Sequence, residues 1–135
     1  MSKQRAKLVV GNWKMHGRLA ENARLLQAVA QGVNGMVGAG DLQDGVRVGI
    51  CVPSVYLAQA QSLLQGGRVE WGMQDVSAHT QGAYTGEVAA AMAVEFGATL
   101  AIVGHSERRA YHGETSDVVA LKAQRALEAD LTPIV

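Results

Sequence analysis

Two short stretches place residue types capable of proton transfer and charge stabilisation directly after an apolar run. In one, the uncharged Leu100-Ala101-Ile102-Val103-Gly104 is followed at once by His105, Ser106, Glu107, Arg108 and Arg109. In the other, Leu8-Val9-Val10-Gly11 is followed by Asn12, Trp13, Lys14 and Met15. Both runs read as parallel strands buried on two faces, and in βα-repeat proteins the carboxyl end of a strand is where chemistry is done. A histidine titrates near neutrality, so His105 suits proton transfer at a substrate oxygen. Lys14 offers positive charge where an anionic intermediate would accumulate. The two-residue period of a strand puts Asn12 on the face of Lys14, with Trp13 and Met15 opposite. Each group also has a structural explanation. His105 would then cap a helix or strand end, and Lys14 would be a solvated charge or half of a salt bridge.

Two other constellations fail. Ser106 lies beside His105 and Glu107, but adjacent side chains cannot form a spatial hydrolase triad, and no Gly-x-Ser-x-Gly elbow is present. Cys51, His16, His79, His105 and His112 contain no pair with recognised metal-ligand spacing, so no metal site is expected.

Five strands and their crossover helices must carry these groups. Strand one is Lys7 to Met15. Helix one begins near Leu19 and sets Leu25, Leu26, Val29 and Val33 on one side. From Gly32 it should fray, because each interior glycine costs about 1 kcal/mol relative to alanine. Gly35 to Gly45 then reads as a loop. Strand two is Val46 to Val52, and Pro53 suits the first turn of helix two, Ser54 to Gln65, which Gly66 and Gly67 close. Strand three is Val69 to Gln74, and Asp75 to Gly86 is a polar, glycine-punctuated loop. Helix three covers Glu87 to Phe96, and strand four Leu100 to Gly104. Helix four runs from Ser116 and Asp117, suited to a helix start, to Ala129. Leu131 to Val135 opens a fifth strand. This (βα)₄β pattern, with right-handed crossovers, fits half of a closed barrel or a doubly wound open sheet. Strand alternation places Val9, Val48, Ile50 and Ile102 on the inner face.

The 135 residues suggest one domain, and no Pro/Ser-rich linker divides them. Twelve basic residues balance twelve acidic ones, so charge gives no basic face for nucleic acid. Cys51 is alone in an apolar run, which rules out a disulfide framework and fits a reducing compartment. The polar stretch Met1 to Lys7 lacks the apolar region of a signal peptide, and no apolar run approaches the roughly 18 residues of a membrane span. A cytoplasmic α/β protein is expected, with no membrane partner.

The pair GNWKM and GHSERR, about 90 residues apart, resembles triosephosphate isomerase. So does Gly82-Ala83-Tyr84-Thr85-Gly86-Glu87, which is similar to that family's interface loop. The resemblance runs along the whole chain, yet covers only about half of what the family needs. It implies the N-terminal half of a (β/α)₈ TIM barrel over residues 1–135. It also implies an isomerase of glycolysis and gluconeogenesis, interconverting dihydroxyacetone phosphate and D-glyceraldehyde 3-phosphate through an enediolate, without a cofactor. In the family, amides after the histidine keep its imidazole neutral, so that it donates to substrate oxygen. His105 and Lys14 would take the catalytic and substrate-binding roles. Asn12 would hydrogen-bond substrate or fix Lys14. Glu107 would orient Lys14 or share in proton shuttling. Tyr84 and Thr85 would insert into a neighbouring subunit of a homodimer, unless their loop is an ordinary mobile one. The family's proton-abstracting glutamate follows strand six, and its phosphate is gripped by amides after strands six, seven and eight, beyond these residues. The chain alone is therefore expected to be inactive. The alternative is a non-catalytic half-barrel that serves as a folding or assembly unit.

Overall fold

Each apolar run finds a neighbour on the side that the chain order demands. The computed structural model describes residues 5–39 and 46–135. Strands β1 (Lys7–Asn12), β2 (Val46–Val52), β3 (Val69–Met73), β4 (Leu100–Ile102) and β5 (Thr132–Ile134) form one parallel sheet in the order β1-β2-β3-β4-β5. A doubly wound sheet reverses its strand order part-way, and this one does not. The crossovers are α1 (Leu19–Ala39), α2 (Leu57–Leu64), α3 (Ala90–Glu95) and the pair α4 (Ser106–His112) and α5 (Ser116–Glu128). Among the described residues, no helix is long and apolar enough to cross a membrane.

The two faces of the sheet differ. Ile50, Val52, Val69, Trp71, Met73, Ala101 and Val103 pack beneath Leu26, Leu57, Leu64, Val119 and Ala126 of the helices. On the other face Cys51, Leu100 and Ile102 meet Leu8, Val10 and Ile134. That second face is concave. Arg47 on β2 holds Glu70 of the neighbouring β3 and also reaches Thr132 on β5, two strands further on, at 3.4 Å. Close packing in the hollow depends on two glycines. A Cβ on Gly49 would strike the Leu100 side chain, and one on Gly72 would strike the Leu100 backbone.

The inner-face expectation is therefore right for Ile102 and displaced by one residue for the others. Ile50 belongs to the helix-side cluster. Val48 lies two residues before it, and Val9 is the register partner of Val48, so both face the same way. A slip of one residue exchanges the two faces of a strand, and strands buried on both sides carry no alternation to prevent it. Val9, at the β1 edge, is 62% exposed.

Helix α1 also departs from expectation. It continues past Gly32 and Gly35 to Ala39, and residues 40–45 of the anticipated loop lie outside the described residues. Val29, Ala30 and Val33 pack on the core, and Asn34 Oδ1 accepts from Arg68 N. That anchoring outweighs the propensity cost of Gly32 and Gly35, which sit on the open side of the helix. Leu25, placed on the core stripe from the sequence, is half exposed, while Leu26 is buried. Helix two is split into a 3₁₀ turn, Ser54–Tyr56, and α2. Strands one, three and four and helix three are each shorter than anticipated.

Helix α4 was not foreseen. It is stopped by Gly113 in the left-handed conformation, and Thr115 then caps α5 by accepting from Val118 N. A charge cluster locks α4 in place. The Lys122 ammonium of α5 lies 2.8 Å from Asp75 and 2.8 Å from Glu114, and Arg108 of α4 contacts the same two carboxylates. The Lys122 and Glu114 side chains are only 8% and 6% exposed. Burial alone would push the Glu114 carboxyl up, but the hydrogen bonds from Lys122 and Arg108 hold it below the usual range. Removing one partner from such a cluster strands a buried charge at a cost of about 3–5 kcal/mol, whereas an exposed pair is worth about 0–1 kcal/mol. Lys122→Met should therefore cost several kcal/mol in urea unfolding. Glu128→Gln, which weakens the more exposed pair with Arg125, should cost far less. Equal losses would contradict this ranking.

Candidate active site

Parallel pairing brings the segments after the strands to one rim of the sheet. Beyond Asn12, Trp13 N still donates to Cys51 O at 3.0 Å, and then the backbone turns. Lys14 is left-handed, with φ of 54°. This conformation is unusual outside glycine and asparagine, so neighbours must impose it. The Lys14 N–H donates to Asn12 Oδ1 at 2.9 Å, and its carbonyl accepts from Gln74 Nε2 at 2.8 Å. The simple strand alternation expected through Met15 thus ends at Asn12.

His105 arrives from β4 through Gly104, whose φ is +66° and whose Cβ, if present, would strike Val119. His105 is the N-cap of α4, and its Nδ1 accepts from Glu107 N at 3.0 Å. The capping role suggested by the sequence is realised, and it does not exclude chemistry. A nitrogen that accepts an N–H holds no proton of its own, so the neutral ring carries its proton on Nε2 as a donor. Glu107 Oε2 also lies 3.6 Å from Nδ1. That distance is too long for a hydrogen bond, and the nitrogen is already occupied, so the geometry is a cap rather than an ion pair.

Glu107 spends its other oxygen on the lysine. Lys14 Nζ donates to Glu107 Oε1 at 2.7 Å, with the two side chains 52% and 43% exposed. The hydrogen bond to Glu107 raises the ammonium above an ordinary lysine, and the hydrogen bond from Lys14 lowers the carboxyl below the usual range. Asn12, Lys14, His105 and Glu107 all line one open cavity of about 650 Å³, together with Gln74, Asp75 and Arg108. Cys51 is fully buried, and burial pushes its thiol up to about 12, so it is inert near neutrality. Among the described residues, no three His, Cys, Asp or Glu side chains gather to hold a metal.

Tyr84 and Thr85 stand apart, exposed on the β3–α3 loop and outside the cavity lining. The Tyr84 ring stacks on His79 with centroids 3.7 Å apart, and Ser77 Oγ donates to Glu87 Oε1 at 2.8 Å across the base of the loop. Gln74 and the Asp75–Arg108–Glu114–Lys122 cluster escaped the sequence reading. Gln74 carried a usable signal, because it is a polar residue at a strand's carboxyl end. Lys122 carried none, since it sits in a charged helix.

The sequence profile of the family described as triosephosphate isomerase matches residues 7–135. The chain belongs to the triosephosphate isomerase family. It is 56% identical to the triosephosphate isomerase of Cupriavidus taiwanensis over 97% of this chain and 50% of that protein. The Bordetella pertussis triosephosphate isomerase is 54% identical over 99% of this chain and 51% of its own length. The crystal structure of triosephosphate isomerase from Bartonella henselae aligns over 95% of this chain and 50% of its own, with a TM-score of 0.83 and 34% identity. The five-stranded sheet is thus half of a TIM barrel. The chain spans about half the length of the curated triosephosphate isomerases that it matches.

The Lys14–Glu107 bond predicts the direction of an acid titration. Because the folded Glu107 pKa is depressed, its contribution is present above the unfolded value and fades as pH falls through the folded one. By carboxyl NMR, Glu107 should titrate below an ordinary glutamate, and Lys14→Met should move it back up. An unmoved titration would show that the pair is not formed.

Proposed function

We propose that this chain is the N-terminal half of a triose-phosphate isomerase, one folding unit carrying the electrophilic side of the site. The observation that carries this reading is His105 with Nδ1 occupied by the Glu107 amide, which leaves Nε2–H to polarise a substrate carbonyl. Proton abstraction beside that carbonyl would generate an enediolate, which Nε2–H and the Lys14 ammonium stabilise together. Asn12 commits its Oδ1 to Lys14 N, so fixing Lys14 is its first role, and its amide hydrogens remain for substrate. Glu107 holds Lys14 through one carboxylate oxygen, which favours orientation over shuttling. The substrate class is a phosphorylated three-carbon sugar, and a cytoplasmic setting fits a lone buried thiol.

The 135 residues alone should not isomerise triose phosphate measurably. General acid–base catalysis is worth about 10²–10⁴-fold, and substrate positioning adds to it. A gene product about 115 residues longer, reaching the usual barrel length of roughly 250, should turn over. In it, His105→Gln and Lys14→Ala should each lower kcat by about 10²–10³. Near-normal kcat in either variant would refute that residue's role. Turnover of the 135-residue chain within tenfold of the longer product would refute the division of labour.

A second reading, the half-barrel as an assembly unit, is favoured by the open edges of the sheet. Strands β1 and β5 close neither side of the sheet, and unpaired edges recruit other strands. The chain should therefore self-associate, most simply as a two-fold pair, with the Tyr84–Thr85 loop as a second contact. Sedimentation as a compact 14 kDa monomer that unfolds cooperatively would sink this reading.

A further inference from the structure

Lys14 is the only non-glycine residue besides Asp130 among those described whose φ is positive. From the backbone that this φ creates, its ammonium reaches Glu107 Oε1 at 2.7 Å. The amide side of that backbone is held locally by Asn12. The carbonyl side is held across the sheet, because Gln74 Nε2 donates both to Lys14 O at 2.8 Å and to Cys51 O at 3.1 Å. One carboxamide therefore ties the ends of three strands. Both acceptors are carbonyl oxygens, so the NH₂ group must face them and the amide orientation is fixed. Cys51 O also accepts from Trp13 N, which joins the residue before Lys14 to the same point.

We infer that Gln74 is a positioning residue of the site, clamping the Lys14 backbone in its left-handed form so that the ammonium is presented to Glu107 and the cavity. Gln74 touches neither the Lys14 side chain nor Glu107 through any hydrogen bond, so its influence passes through the main chain alone. Without the clamp, the Lys14 carbonyl loses its partner across the sheet, and Lys14 relaxes toward ordinary backbone. This inference rests on Lys14 being the cation of the site. It does not depend on turnover, because what it fixes is the place of Lys14.

The test uses the 135-residue chain and follows the Glu107 carboxyl by NMR. The titratable groups facing that carboxyl are Lys14 and His105. In Gln74→Met, which has similar length and no donor, the Glu107 titration should rise toward an ordinary glutamate, as in Lys14→Met. A folded Gln74→Met with Glu107 titrating as in the unaltered chain would make Gln74 a strut only and overturn the inference. Should that variant not fold, the Gln74 carboxamide hydrogens of the unaltered chain decide. Slow exchange with solvent supports the clamp, and exchange at the free-amide rate overturns it.

Discussion

Parallel pairing in sequential order is the constraint on which the site depends. Because β1 to β4 all run the same way, Asn12, Gln74 and His105 emerge at one rim although they lie far apart in the chain. Parallel strands need a crossover each time, and those crossovers cover the outer face with helices while leaving the inner face free. The candidate site is then assembled from the residues just past the strand ends. Lys14 comes from the first, Gln74 from the third, and His105 and Glu107 from the fourth.

Two groups of charges divide the work of holding α4. The Lys122–Asp75–Glu114–Arg108 cluster is largely enclosed, so salt screens it little, and it fixes the helix as a rigid piece. The Lys14–Glu107 pair is half exposed and more easily screened. Its worth lies in geometry rather than stability. With a deep anchor and a shallow, accessible pair on the same short helix, the Lys14 and Glu107 charges stay open to the cavity while the helix is held in place.

How much of this was legible depends on the signal each residue type carries. The five strands were readable, because uncharged runs broken by polar residues are a strong strand-end signal; the same signal picked out Asn12, Lys14 and His105, which the structure brings to one cavity, whereas Glu107 rested on the family motif. Helix α4 was not, since Ser106-Glu107-Arg108-Arg109-Ala110-Tyr111-His112 has no apolar stripe, and the structure holds it by charge and capping instead. The left-handed turn at Lys14 was equally hidden, because lysine does not advertise a positive φ. Inward and outward residues of β1 and β2 were exchanged because apolar strands covered on both faces lack alternation. The burial of Lys122 could not be read from a helix rich in exposed polar residues.

The span from Arg47 to Thr132 bears on where the curvature of the sheet comes from. Neighbouring strands are separated by single crossovers and can be added one βα unit at a time, with modest loop-closure entropy. The Arg47–Thr132 contact joins residues 85 apart and skips two strands. In the native sheet it spans β3 and β4, which lie between its two ends. Curvature is thus a property of the assembled sheet rather than of any one βα unit, and the polar contact in the hollow is made only by strands that lie apart in the sheet.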